Sequence, residues 1–458
     1  MGFELKREEL GSLVTHKKGF AFKSKDYISA GVPVVRVSNF TWDSISTDDL
    51  RFVAHEVAIS NKMVRLNEDD VVIATVGSWP QNPASIVGKV VRVPHELSGA
   101  LLNQNTVRLR VVDEDLVNQK YLYISLKTKD FSEYLISKAQ GSANQASITL
   151  SDIFSYAIPW GTFAQRKFIV SVIDSINSKI VNAKRINQTL EQMAQALFKN
   201  WFIDFEPVKA KIAVLEAGGS QENATLAAMM AISGKDADSL TVFEREHPEK
   251  YAELRVTAEL FPSAMQQSEL GDIPAGWSSQ RMSNIATLHY GKALKKTERI
   301  DGPYPVYGSG GITGSHNAYL VEGPSIIVGR KGSIGTIYWE DGKFHPIDTV
   351  YYVTSKEEIP LSYLYYLMEI LNLPSMNTDA AVPGLNRDNV YRLEVLKPTQ
   401  SILNRFNNHI ATFRNGIQKN NNTIVSLVGL RDILLPKLLS GEITLPEAEE
   451  IAKEADYV

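Results

Sequence analysis

Two parts of this chain repeat one another in order, and that duplication limits its fold more than any other feature. Leu10-Gly11-Ser12-Leu13, six residues before Gly19, corresponds to Met282-Ser283-Asn284-Ile285, six residues before Gly291. Pro33-Val34-Val35 matches Pro305-Val306-Tyr307, and Ile73 to Gly77-Ser78 matches Val328 to Gly332-Ser333. Asn105-Thr106-Val107 pairs with Asp348-Thr349-Val350, and Tyr121-Leu122-Tyr123 with Tyr363-Leu364-Tyr365. Finally Leu197-Phe198-Lys199 matches Leu434-Leu435 followed by Lys437. The offset shrinks from 272 to about 237 along the series, as expected of a shared framework with loops of different length.

Each copy follows one plan. A block of strand-like runs between turn residues comes first: Val34 to Val37, Val71 to Ala74, Val90 to Val93 and Thr106 to Val111 in one copy, and Ser325 to Val328, Thr336 to Trp339 and Thr349 to Val353 in the other. A long helix follows. Strands and helices mixed within each block predict an α+β (mixed α/β) fold.

From Gln165 to Phe202 neither Pro nor Gly occurs. Ile169, Ile176, Ala183, Leu190 and Leu197 recur at seven-residue spacing, with Val172, Ile186 and Met193 in a companion series. The second helix carries Leu403, Ile410, Ile417 and Ile424 in one series and Phe406, Phe413, Leu427 and Leu434 in the other, with Asn420 and Arg431 as polar interruptions. Gly416 weakens that helix by about 1 kcal/mol relative to Ala, and Pro436 is expected to bend or end it. Each stripe is too apolar to stand alone in water, so the two helices are expected to pair as an antiparallel coiled coil relating the blocks by a pseudo-two-fold. Ile169, Ile176, Leu190, Leu197, Phe406, Ile410, Phe413, Ile417, Ile424 and Leu427 carry that pairing. At ~1.5 Å per residue such a helix runs for about 57 Å. The segments are therefore 1–160 and 271–398 as globular blocks, 161–205 and 399–443 as long helices, 206–270 as a connector and 444–458 as an acidic tail. The connector has no counterpart in the repeat, holds 6 basic against 11 acidic residues, and reads as one or two peripheral helices.

Composition narrows the chemistry. The chain has 458 residues, 44% of them hydrophobic and 22% charged, and no Cys, so disulfides, thiolate metal sites and Cys nucleophiles are excluded. No apolar run reaches the ~18 residues of a membrane span, and the first ten residues contain no signal-peptide core. A cytoplasmic protein is the expectation. The nearest approach to the tetrapeptide of amino-methyltransferases is Asn82-Pro83-Ala84-Ser85, which lacks the second Pro and the aromatic. Gly308-Ser309-Gly310-Gly311-Ile312-Thr313-Gly314 does not have dinucleotide spacing, and Gly329 to Thr336 holds no Gly-Lys-Ser/Thr triplet. The eight His residues form no His-Glu-x-x-His. No catalytic or metal residue is assigned, and the chain reads as non-catalytic.

A net charge of −4 does not announce a nucleic-acid binder, but phosphate acts locally, over about a Debye length. Basic residues recur at equivalent places in both copies. Lys17, Lys18, Phe20 and Lys23, with Arg36, stand in the first; Lys292, Lys295 and Lys296 stand in the second, with Arg330, Lys331 and Ser333 in a glycine-rich loop suited to phosphate or a base edge. These are the candidate DNA-binding residues.

The pattern resembles the specificity subunit of type I restriction–modification systems. The similar stretches are Lys18-Gly19-Phe20-Ala21-Phe22-Lys23, Gly31 to Val37, Leu197 to Phe205, Ile273-Pro274-Ala275-Gly276-Trp277, Tyr304 to Ile312, Gly329 to Gly335 and Leu434 to Gly441. The resemblance implies that each block is a target-recognition domain reading half of a split DNA sequence. The helices would set the spacer and dock two modification subunits. Those partners would hold S-adenosylmethionine and methylate adenine at N6, and restriction subunits using ATP and Mg would complete the complex. No cofactor is expected on this chain. A methylation-only or type IIB-like system, and a coiled-coil protein-interaction scaffold, are the alternatives.

Overall fold

The computed structural model describes residues 5–41, 43–79, 87–142, 145–356, 358–376 and 384–443. The chain divides into two compact units, Met1–Lys184 with Asn421–Val458, and Arg185–Asn420. Both long helices, Phe163–Phe202 and Gln400–Ser440, are shared: each contributes one stretch to each unit.

The first unit is built on two four-stranded sheets. One has the order β1 (Val14–Lys18), β8 (Thr106–Val111), β5 (Val71–Ala74), β6 (Val90–Arg92), all antiparallel. The other has the order β2 (Tyr27–Ile28), β4 (Arg51–Val53), β3 (Val32–Val35), β7 (Leu101–Leu102), in which β3 and β7 run parallel. The β-branched run Val71-Val72-Ile73-Ala74 is buried on both faces, which is why it lacks the polar alternation of a half-exposed strand. Leu116–Leu126 follows as a helix, started by the Asp115 carboxylate accepting from Asn118 N–H. Asp70, almost fully buried, takes Arg110 in a bidentate pair at 2.5 and 2.7 Å.

The second unit repeats this arrangement. Its sheets have the orders β9 (Ala286–Tyr290), β16 (Val350–Ser355), β13 (Ser325–Gly329), β14 (Ile337–Glu340), and β11 (Gly311–His316), β10 (Tyr304–Gly308), β15 (Lys343–Pro346), β12 (Val321–Glu322). Again one pair, β10 with β15, is parallel. The short edge strand differs: β2 lies beside β4 in the first unit, whereas β12 lies beside β15 in the second. The motifs Leu10–Leu13 and Met282–Ile285 become the same short helix. The hydroxyls of Tyr121 and Tyr363 bond equivalent carbonyls, those of Pro159 and Leu396. The register corrects one match by a residue. Lys18 faces Val107 and Tyr290 faces Tyr351, so Thr106 corresponds to Val350 rather than to Thr349.

Gly19 and Gly291 show why that framework is repeated. A Cβ on Gly19 would stand 1.9 Å from Asn103 O, and one on Gly291 would stand 2.1 Å from Ile347 O. Two chain segments cross at backbone distance in each unit, and only glycine fits.

The long helices pack in both units. In the second, Asn420 donates to Asn187 at 2.8 Å, Gly416 admits the Leu190 side chain, and Phe406 packs among Phe198, Trp201, Phe202 and Tyr366. The paired numbers run in opposite directions, so these stretches are antiparallel. In the first unit, Ile169, Val172, Ile173, Ile176 and Ile180 share a core with Leu427, Leu434, Leu435, Leu438 and Leu439, and Arg431 donates to Asn177. Ala183 is buried, and Leu190, Leu197, Phe413, Ile417 and Ile424 are half-buried. The companion stripe, however, lies four residues beyond each member of the first series: Ile173, Ile180, Asn187, Ala194 and Trp201. Ile186 and Met193, three residues beyond theirs, are 50% and 48% exposed. The helix also runs through Pro436 to Ser440. The missing N–H falls in the last turns, where buried Leu434, Leu435, Leu438 and Leu439 hold the chain in place.

Residues 206–270 form four helices rather than one or two: Glu206–Glu216, Gln221–Ser233, Ala237–Glu246 and Pro248–Leu260. Ser220 and Asp236 cap the second and third, and Gly234 at φ 65° separates them. Ala228, Met229, Leu240 and Ala258 make a small core of their own. Asn82 to Ser85 and residues 444–458 lie outside the described residues.

Candidate nucleic-acid interface

The two glycine-rich stretches of the second unit meet. Gly308 and Gly311 pair across a two-residue turn, so the first stretch is a β-hairpin rather than a nucleotide loop. Its Ser309 carbonyl accepts from the Thr336 hydroxyl at 2.6 Å, joining the hairpin to the loop that follows β13. That loop, Arg330 to Gly335, is closed by Gly335 N–H donating to Gly329 O at 2.8 Å, with Gly332 and Gly335 at positive φ. Arg330 and Lys331 both donate their backbone N–H to Thr349 O, at 2.8 and 3.1 Å.

The side chains of this loop divide. Lys331 and Ser333 are exposed; Arg330 is half-buried. The Arg330 guanidinium donates to Asp348 O at 3.1 Å and lies 4.8 Å from the Tyr290 ring and 5.8 Å from Tyr351. Arg387, first residue of the short helix Arg387–Tyr391, brings a second guanidinium to 4.9 Å from Tyr290. Next to Tyr290 on β9, His289 stacks on Tyr352 at 4.8 Å. Burial, and then the charge of Arg387, pushes its imidazole below the ordinary range. Tyr290 and Arg387 were not among the sequence candidates: they lie 40 and 57 residues from Arg330, and only the sheet unites them.

The other candidates sit as follows. Lys17 faces Arg108 across β1 and β8, a like-charged pair; Lys18 is exposed one position on. Phe20 is 43% exposed, its ring 5.0 Å from Phe22. Lys23 and Lys295 start equivalent tight turns, their N–H groups bonded to Asp26 and Glu298. Lys292 and Lys296 are exposed. Arg36 is already engaged: its guanidinium donates to Asp49 O at 2.7 Å and to the Asp49 carboxylate at 3.3 Å.

The backbone contacts around these residues coincide between units. Thr75 N–H bonds Asn105 O as Arg330 N–H bonds Thr349 O. Ile148 N–H bonds Thr75 O as Leu385 N–H bonds Arg330 O. Thr149 caps the helix Leu150–Phe154 as Asn386 caps Arg387–Tyr391. Lys18, Thr75, Val76 and Leu150 therefore stand where the second unit has Tyr290, Arg330, Lys331 and Arg387.

A family model described as the type I restriction modification DNA specificity domain matches residues 4–192 and 274–398, most of the chain and both copies of the repeat. The chain belongs to that family. Its specificity subunits include that of the type I restriction enzyme HindI from Haemophilus influenzae, 29% identical over 359 residues, covering 72% of this chain and 78% of the relative. Another is the MjaIX specificity subunit of Methanocaldococcus jannaschii, 24% identical over 344 residues, covering 74% and 72%. The crystal structure of the type I S subunit from M. genitalium is 15% identical, with 95% of this chain and 96% of that one covered and a TM-score of 0.48. The chain is thus a specificity subunit of the type I kind, concerned with DNA sequence recognition. Among the described residues no helix is long and apolar enough to cross a membrane.

Proposed function

We propose that each unit carries a target-recognition domain that reads one half of an asymmetric, two-part DNA sequence. One observation carries this reading: the two units share the strand order and register of one sheet and the loop hydrogen bonds beside it, yet present unlike side chains at matched positions. Identical readers would favour a palindrome; a shared frame holding Lys18, Thr75 and Leu150 in one unit and Tyr290, Arg330 and Arg387 in the other favours two different half-sites. The candidate residues at Lys17, Lys18, Phe20, Lys23, Lys292, Lys295, Lys296, Lys331 and Ser333 would then contact backbone or bases. Arg36, held by Asp49, supports its own loop in the free protein.

The paired helices would set the unread spacer and dock two modification subunits. Those subunits would flip an adenine out of the stack and hold S-adenosylmethionine as the methyl donor. Restriction subunits, with ATP and Mg, would add cleavage of unmodified DNA. The test is selection from a random-sequence duplex pool by the chain purified together with the subunits it assembles with in its host. Two unlike blocks separated by a constant unread spacer are expected. A continuous or palindromic sequence, or no enrichment, would overturn the reading.

A further inference from the structure

We infer that the second unit reads a guanine through Arg330, with Tyr290 and Arg387 holding the reader in place. This rests on the DNA-recognition reading above and names the base and the residues.

Two guanidiniums share one aromatic ring, at 4.8 and 4.9 Å from its centre, and Tyr290 as a residue is 49% exposed. Among the described residues neither Arg330 nor Arg387 forms an ion pair, and the Nε of Arg387 is buried with no hydrogen-bond partner. Two cations on one ring, neither with a carboxylate partner, are open to an electronegative ligand. The nature of that ligand follows from how Arg330 is held. One Nη is committed to the Asp348 carbonyl, and the guanidinium face rests on Tyr290 and Tyr351. A phosphate asks for charge and tolerates a mobile lysine such as the exposed Lys331 beside it. A guanidinium whose plane is fixed by rings and a carbonyl suits a flat acceptor edge, and the O6/N7 edge of guanine is the one arginine matches best. The first unit has Lys18, Thr75 and Leu150 at the matched positions, so this contact belongs to one half-site only.

The experiment is the random-duplex selection repeated with Arg330→Lys, Arg330→Gln and Tyr290→Ala, followed by binding titrations on the selected site and on its single-base variants. The wild-type complex should select a guanine in one block. Arg330→Lys, which keeps the charge, should flatten preference at that position by about 5- to 150-fold, the range for a lost bidentate base contact, and leave the other block untouched. Tyr290→Ala should loosen the same position. A uniform loss of affinity on all sequences with a shallower salt dependence would mark Arg330 as a phosphate contact and overturn the inference. So would unchanged preference in every variant, or a block without guanine. If the wild-type complex selects no two-part site at all, the DNA-recognition reading itself fails, which is a different result.

Discussion

Replacing Phe406 with Ala removes the centre of the helix packing in the second unit. The Phe406 side chain is fully buried, and the rings of Phe198, Trp201, Phe202 and Tyr366 lie 5.1 to 6.1 Å from it. A buried phenyl removes roughly 150–250 Å² from water. At ~25 cal/mol per Å² this is about 4–6 kcal/mol, of which the alanine methyl retains roughly 1. The remaining ~3–5 kcal/mol matches the usual cost of Phe→Ala in a core. Native-state hydrogen exchange read by mass spectrometry separates the units by peptide. The most protected amides within Arg185–Asn420 should exchange about 150- to 5,000-fold faster in Phe406→Ala. Val425→Ala, at a position on the same helix that is 72% exposed, should stay within about 0.5 kcal/mol of wild type. A change below about fivefold in Phe406→Ala would refute the claim that this residue anchors the helices in their unit.

Four further substitutions probe the framework. Gly19→Ala and Gly291→Ala should each destabilise their own unit, by ~1–3 kcal/mol or more, because a backbone carbonyl occupies the space the methyl needs; thermal unfolding of each variant checks this, and tolerance at one site alone would break the equivalence of the crossings. Asp70→Ala should cost ~3–5 kcal/mol in denaturant unfolding, since Arg110 loses its bidentate partner in a partly buried site. Burial, reinforced by Lys89 and Arg431 against the opposing pull of Asp43, lowers the Lys127 ammonium from 10.5 to about 8. The folded unit therefore releases this proton first, and its contribution to stability rises between pH 8 and about 10.5 and is lost as pH falls through 8. Melting temperatures from pH 7.5 to 9.5 should rise less steeply in Lys127→Met than in wild type; equal slopes would remove Lys127 as the cause.

The repeat was legible because its motifs do local jobs that any copy of the frame must do. Leu10–Leu13 and Met282–Ile285 turn the chain, Gly19 and Gly291 permit a backbone crossing, and Tyr121 and Tyr363 reach equivalent carbonyls. The helix stripes were legible where their members are apolar. The companion stripe of the first helix was misplaced because Asn187 interrupts it, and the partner that satisfies Asn187 is Asn420, 233 residues away. The connector showed too little periodicity to count its helices, since Ala-rich faces bury against one another without a clear apolar stripe. The stack on Tyr290 was invisible for a different reason. Tyr290 reads as a strand residue and Arg387 as a helix start, and only the pairing of β9, β13 and β16 carries them to Arg330.

Long-read sequencing of modified bases, in the host with and without this gene, tests most directly whether two unlike readers on one duplicated frame select the DNA. Deletion should abolish adenine methylation at a single motif of two different halves with a fixed unread spacer. Loss of a palindromic or continuous motif, or an unchanged methylation map, would contradict it.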